Sequence, residues 1–160
     1  MFEITPAQKT KYIIWFKFFL FCLCIKIFFV FVIHAIFDAY SATELHQLIG
    51  SKNDLENILL ILLIGPIFET LLFQCGVIEI THILLKRTSL LGPISIILST
   101  LLFAFSHFNG NTYLFVNSLI SGIILSLIYL IAMKKDLSPF FSTSLIHIMS
   151  NLFAFIMNNY

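Results

Sequence analysis

The chain has 160 residues, 59% hydrophobic and only 11% charged, and its mean hydropathy is +1.02. Soluble domains carry about 25% charged residues, so these values exclude one and indicate a polytopic membrane protein. A net charge of +1, with no stripe of Lys and Arg, argues against a nucleic-acid partner.

At about 20 residues per span, the length holds one all-α, polytopic transmembrane helical bundle of about five spans. Apolar runs place them near 12–37, 56–84, 93–108, 113–133 and 138–157. The first is far longer than a signal-peptide core, although Ala39-Tyr40-Ser41-Ala42 imitates a cleavage site. Within it, Lys26 is expected to snorkel to the interface or pair with a carboxylate on another helix; His34 lies two turns on. The polar segment 38–54 reads as a loop or a short interfacial helix. Residues 1–54 then form an N-terminal anchor with its loop, and 55–160 the core.

Span two contains Pro66, which cannot donate a backbone hydrogen bond and so loosens the helix after Gly65. Glu79 and His82, one turn apart nearer its end, read as an interfacial pair. Gly92-Pro93 opens span three, with proline in the first turn where its missing donor is harmless. Asn109-Gly110-Asn111-Thr112 is a turn signal between spans three and four. Span four carries no charge from Tyr113 to Met133. Lys9, Lys11, Lys86, Arg87, Lys134 and Lys135 fall on one side of this arrangement and only Lys52 on the other. The positive-inside rule therefore predicts a cytoplasmic N-terminus in the cell (inner) membrane. Cys22, Cys24 and Cys75 lie in apolar runs without a CxxC and read as small hydrophobes.

Four polar side chains interrupt the apolar runs: Glu69 in span two, His107 in span three, and His147 with Asn151 in span five. An ionisable group inside a membrane costs several kcal/mol and marks a functional site by default. A helix rises about 1.5 Å per residue, which puts Glu69, His107 and Asn151 roughly 21–24 Å from one membrane face. His147 lies one turn from Asn151 on the same helix face. A carboxylate with two imidazoles is an acid–base set. Burial disfavours the Glu69 anion and a neighbouring imidazole favours it, a balance that suits a group taking a proton from water. The histidines can polarise that water, stabilise an oxyanion or protonate a leaving amine, and Asn151 can donate to the oxyanion or fix the His147 ring.

These residues lie in three short motifs. Glu69-Thr70-Leu71-Leu72-Phe73-Gln74, after Gly65-Pro66, resembles the EExxxR motif of the CPBP family, the CAAX prenyl protease and bacteriocin-processing (Abi) intramembrane proteases. Phe103-Ala104-Phe105-Ser106-His107 resembles its FxxxH, and His147-Ile148-Met149-Ser150-Asn151 its HxxxN. Order and spacing fit over about two-thirds of the chain, from Leu55 on. The resemblance implies a helical-bundle endopeptidase core over 55–160, with Glu69 as general base, His107 and His147 as catalytic partners and Asn151 in the oxyanion role. It implies a peptide or membrane-protein substrate in the lipid bilayer and no cofactor. CAAX-type processing, bacteriocin maturation, self-immunity and turnover of another membrane protein all fit. Two positions depart from the pattern. Thr70 stands for the second Glu and Gln74 for the Arg, and as i,i+4 neighbours they are expected to form a neutral hydrogen-bonded pair in place of an ion pair.

Other readings stay open. The histidines and Asn151 can serve as helix-to-helix hydrogen bonds, Glu69 can be a protonated structural acid, and His107 an ordinary interfacial residue beside the turn. Two histidines and a carboxylate are also a zinc ligand set, although no HExxH is present. Ser121-Gly122 lacks the glycine two residues earlier that a rhomboid-like serine site requires. A non-catalytic immunity protein or peptide-binding scaffold is the main alternative to an enzyme. A transporter subunit is disfavoured by the absence of an internal repeat.

Overall fold

A computed structural model describes residues 5–36, 55–86 and 90–159; its described residues contain five helices and no strand. Helix α1 spans Pro6–Ile36. It starts six residues earlier than the hydrophobic run because Thr5-Pro6-Ala7-Gln8 caps it: the Thr5 N–H donates to Gln8 Oε1 at 2.9 Å and the Gln8 N–H to Thr5 Oγ1 at 3.3 Å. Helix α2 covers 55–84, α3 is Leu91–Ser106, α4 is Thr112–Lys134 and α5 is Pro139–Asn159. Four of these rods are long and apolar enough to cross a membrane, and α3 is a shorter apolar helix. The segment 38–54, Lys52 and Arg87 lie outside the described residues.

The bundle is polar within and apolar without. Phe16, Phe21, Phe28, Leu72, Leu84, Ile97 and Phe105 face outward, while Thr70, Ser95, Ser99, Thr100, Ser126, Thr143 and Ser150 are buried. Lipid tails are as apolar as leucine, so helices in a membrane associate through close packing and hydrogen bonds rather than by hiding apolar surface. Accordingly Ser99 and Ser126 hydrogen-bond between α3 and α4 at 2.8 Å. Gly122 lets the two backbones approach so closely that a Cβ there would lie 3.2 Å from the Thr100 Cα.

The turns close as the sequence indicates. Gly110 takes φ +94°, and Asn111 Oδ1 accepts from the N–H groups of Tyr113 at 2.7 Å and Leu114 at 3.3 Å, capping α4. At the other end of α4, Asp136 adopts φ +53° and the Leu137 N–H donates to the Ala132 carbonyl at 2.9 Å, a glycine-free version of the usual helix stop. Lys11 at the start of α1 pairs with Asp136 at 2.6 Å, and Trp15 donates to Ser142 Oγ at 2.8 Å. The start of α1 therefore meets the α4–α5 turn, as an up-and-down bundle requires.

Helix α2 departs from a regular α-helix. Leu60–Ile64 and Thr70–Gly76 are π-helical turns flanking the α-helical Gly65–Glu69. Pro66 follows the first of them and is fully buried. The buried positions Pro66, Thr70, Gln74 and Ile78 repeat every four residues. On a 3.6-residue helix that repeat drifts about 40° per step; the wider π turns reduce the drift and keep the set on the inner face of the helix. Wide turns of this kind are frequent at functional sites.

Candidate active site

Glu69, on the short α-segment between the π turns of α2, meets both histidines. Its Oε1 lies 3.5 Å from His107 Nε2 and its Oε2 lies 3.5 Å from His147 Nε2. One carboxylate thus bridges two histidines that lie 40 residues apart in the chain, one at the end of α3 and one on α5.

Each imidazole is held from behind. His107 caps the end of α3, where its Nδ1 lies 2.9 Å from the Phe103 carbonyl and 3.1 Å from Ser106 Oγ. A carbonyl only accepts, so Nδ1 carries a proton there, and Nε2 is the nitrogen that faces Glu69. His147 Nδ1 sits 3.5 Å from Thr70 Oγ1 on α2. Between the two rings lies Phe103, buried, with centroid distances of 4.6 Å to His107, 5.8 Å to His147 and 5.7 Å to Phe73. The phenylalanine of the second motif therefore contributes a carbonyl to one histidine and a ring to both.

The site is open on one side. The His147 side chain is 4% exposed, against 28% for Glu69 and 34% for His107. His147 forms the dry wall and His107 the mouth. Among the described residues no cluster of three His, Cys, Asp or Glu side chains is arranged to hold a metal ion.

The family model for type II CAAX prenyl endopeptidase Rce1-like proteins matches residues 51–153, from just before α2 to well into α5. The chain belongs to that family. No curated protein and no solved structure matches it. Family membership implies protease activity of the CAAX type, and the long apolar helices make this Rce1-like chain an integral membrane protein.

Of the four residues expected at the site, three converge directly. Asn151 lies one turn beyond His147 on α5, half-buried, and hydrogen-bonds to none of the three among the described residues. The expected Thr70–Gln74 pair does not form. Both are fully buried, but the Thr70 hydroxyl is turned to His147, and among the described residues neither amide atom of Gln74 has a hydrogen-bond partner. Glu79 and His82 do not pair either: Tyr129 reaches across from α4 and donates to Glu79 Oε1 at 3.0 Å, while His82 Nε2 has no hydrogen-bond partner among the described residues.

For Lys26 the sequence left two expectations open, the interface or a carboxylate on another helix. Lys26 does not snorkel: it is 3% exposed, turned into the bundle from α1, and its ammonium donates to Ser121 Oγ on α4. A lysine deep in an apolar run was the visible signal, but which helix it would face depends on how α1 docks. Ser121, met in sequence as a poor match to a serine-protease site, serves here as the acceptor for Lys26.

Proposed function

We propose that this chain is an intramembrane endopeptidase in which Glu69 activates the attacking water. One observation carries the reading: the two oxygens of Glu69 each face an imidazole Nε2 at 3.5 Å, while His107 Nδ1 is committed to the Phe103 carbonyl. At that distance a proton on Nε2 or on the carboxylate, or a water with its own O–H groups, mediates between each imidazole and Glu69. A water held there gives its proton to Glu69 as its oxygen attacks the scissile carbonyl. The proton then passes to the leaving amine, directly or through His107, and an acid and an amine leave. General-base assistance of this kind is worth about 10²–10⁴-fold. His147, and Asn151 with its amide uncommitted one turn away, serve the oxyanion, where a single donor is worth about 10²–10³-fold.

Water access follows from helix length. The 16 residues of α3 rise about 24 Å against a hydrocarbon core of about 30 Å. The end carrying His107 therefore stops short of the far face and leaves a polar entrance there. The bias of loop lysines supports a cytoplasmic N-terminus, with that entrance on the opposite side of the cell membrane. The substrate is a membrane-associated peptide or protein. The family name supplies the first class to try, a prenylated CAAX peptide; bacteriocin precursors and self-immunity targets are reached by the same chemistry.

The test is cleavage of a peptide panel, including a farnesylated CAAX peptide, by the detergent-purified protein. Wild type is expected to cleave, Glu69→Gln to lose at least about 10²-fold in kcat, and a chelator to leave the rate unchanged. A Glu69→Gln protein as active as wild type refutes the general-base assignment, and loss of activity with chelator replaces it with a metal site. The departures at Thr70 and Gln74 favour one second reading, a peptide-binding scaffold or immunity protein. That reading requires peptide binding without cleavage by the wild type, and the same binding by Glu69→Gln.

A further inference from the structure

We propose that Thr70 is a positioning residue for His147: its hydroxyl donates to Nδ1 and so keeps the ring proton on Nε2, the nitrogen that faces Glu69. This deepens the endopeptidase reading above and rests on it. Glu69 and Thr70 are consecutive on α2, and between them they meet both nitrogens of one imidazole. Thr70 Oγ1 lies 3.5 Å from Nδ1, and Glu69 Oε2 lies 3.5 Å from Nε2. The ring itself comes from α5, and Phe103 of α3 stands edge-on to it with the ring planes at 65°. Thr70 is fully buried and His147 nearly so, which keeps bulk water from competing for the hydroxyl.

Which nitrogen of a histidine carries the proton is set by the bond that the other one makes. A threonine hydroxyl can donate or accept. Among the described residues it meets one polar partner, His147 Nδ1. A buried donor left unmet is rarer than an unused lone pair, so the single contact goes to the O–H. On the far side of the ring the Glu69 carboxylate only accepts. Both neighbours therefore call for the same tautomer, with Nδ1 bare toward the hydroxyl and Nε2–H toward the carboxylate. The 3.5 Å separation is long for such a bond, and catalytic hydrogen bonds commonly tighten once substrate is bound. The group behind His107 is of another kind, a carbonyl that requires a proton on Nδ1. His147 thus becomes a fixed N–H donor on the dry wall of the site, and His107 is left to exchange a proton at Nε2. Threonine supplies this donor without adding charge. A glutamate at position 70, as in the EExxxR motif, would be buried with the neutral Gln74 four residues on rather than an arginine.

The test is a nitrogen NMR spectrum, near neutral pH, of the detergent-purified protein isotope-labelled at histidine, with the His147 signals assigned by their loss in His147→Gln. Bare and protonated ring nitrogens resonate far apart. Wild type is expected to show a bare Nδ1 and a protonated Nε2. Thr70→Val keeps the shape of threonine without its hydroxyl and is expected to show a mixture of tautomers. On a cleaved peptide Thr70→Val is expected to lose about tenfold in kcat, the bias that one hydrogen bond gives a tautomer ratio, with KM within about twofold. Thr70→Ser restores the hydroxyl and is expected to bring kcat back to within about threefold of wild type. A wild-type His147 that carries a proton on Nδ1 overturns the proposal whether or not any variant folds. A Thr70→Val protein with wild-type kcat overturns it too, as does a serine variant no better than valine. Glu69→Gln separates the two claims. If it stays active, the endopeptidase reading fails; if it is dead while Thr70→Val is fully active, only the role of Thr70 fails.

Discussion

Gly122→Ala probes how helix spacing sets the site. A Cβ at Gly122 would lie 3.2 Å from the Thr100 Cα, 3.3 Å from Phe103 Cδ1 and 3.4 Å from Thr100 Cγ2. The first of these is backbone and cannot rotate away. Ordinary contact begins near 3.4 Å, so α3 and α4 must part by about 0.2 Å or the Phe103 ring must turn. Overpacking of this kind costs about 1–3 kcal/mol, and the better helix propensity of alanine returns about 1 kcal/mol. The net expectation is a loss of about 0–2 kcal/mol in stability. The functional consequence runs through Phe103, whose ring lies against both imidazoles. A 1 Å misplacement of catalytic groups costs about 10²-fold, so on a logarithmic scale two or three tenths of an ångström cost roughly 3–4-fold in kcat. The assay is thermal unfolding in detergent, followed by the fluorescence of the single tryptophan, Trp15, with kcat measured on the same preparation. Gly92→Ala is the control, because nothing lies within 4 Å of a Cβ there. A Gly122→Ala protein with a raised midpoint and wild-type kcat would show that the close approach of α3 and α4 does not govern the site.

Two further substitutions test the frame. Lys11 holds the exposed Asp136 carboxyl below the usual carboxylate range, so the contribution of this pair is present above the unfolded value near 3.9 and is lost as pH falls through the lower folded value. Asp136→Asn, which keeps the left-handed backbone acceptable, is expected to lower the thermal midpoint from neutral pH down to about pH 4 and to converge on wild type in stronger acid; a difference that persists undiminished below pH 3 refutes the linkage. Tyr129→Phe leaves Glu79 without its donor and is expected to cost about 1–3 kcal/mol, with Glu79→Gln costing less because an amide oxygen still accepts. A Tyr129→Phe protein with the wild-type midpoint would show that this bond is dispensable.

The linear sequence determined everything that depends on local chemistry. Length and apolarity set five helices, because a backbone in lipid must satisfy its own hydrogen bonds. Asn111, Gly110 and Pro139 set the ends of three of them through capping and backbone geometry. The motif residues Glu69, His107 and His147 stood out as costly groups in apolar runs, and the fold brings them to one point.

The tertiary structure decided what depends on rotation about helix axes and on partners distant in sequence. Counting four residues along α2 put Thr70 beside Gln74, and the two do share a buried face, but the Thr70 hydroxyl went to His147 on α5 and left Gln74 without a partner among the described residues. Glu79 likewise found Tyr129 of α4 rather than His82 of its own helix. The inward turn of Lys26 rests on the docking of α1 against α4 and α5, with Cys22, Ile124, Ile128 and Ile146 forming one packed cluster beside it. Every face of a membrane helix is apolar enough for lipid, so hydrophobic periodicity carries little information about which face turns inward. That choice falls to small residues, hydrogen bonds and charge balance, whose partners lie on other helices.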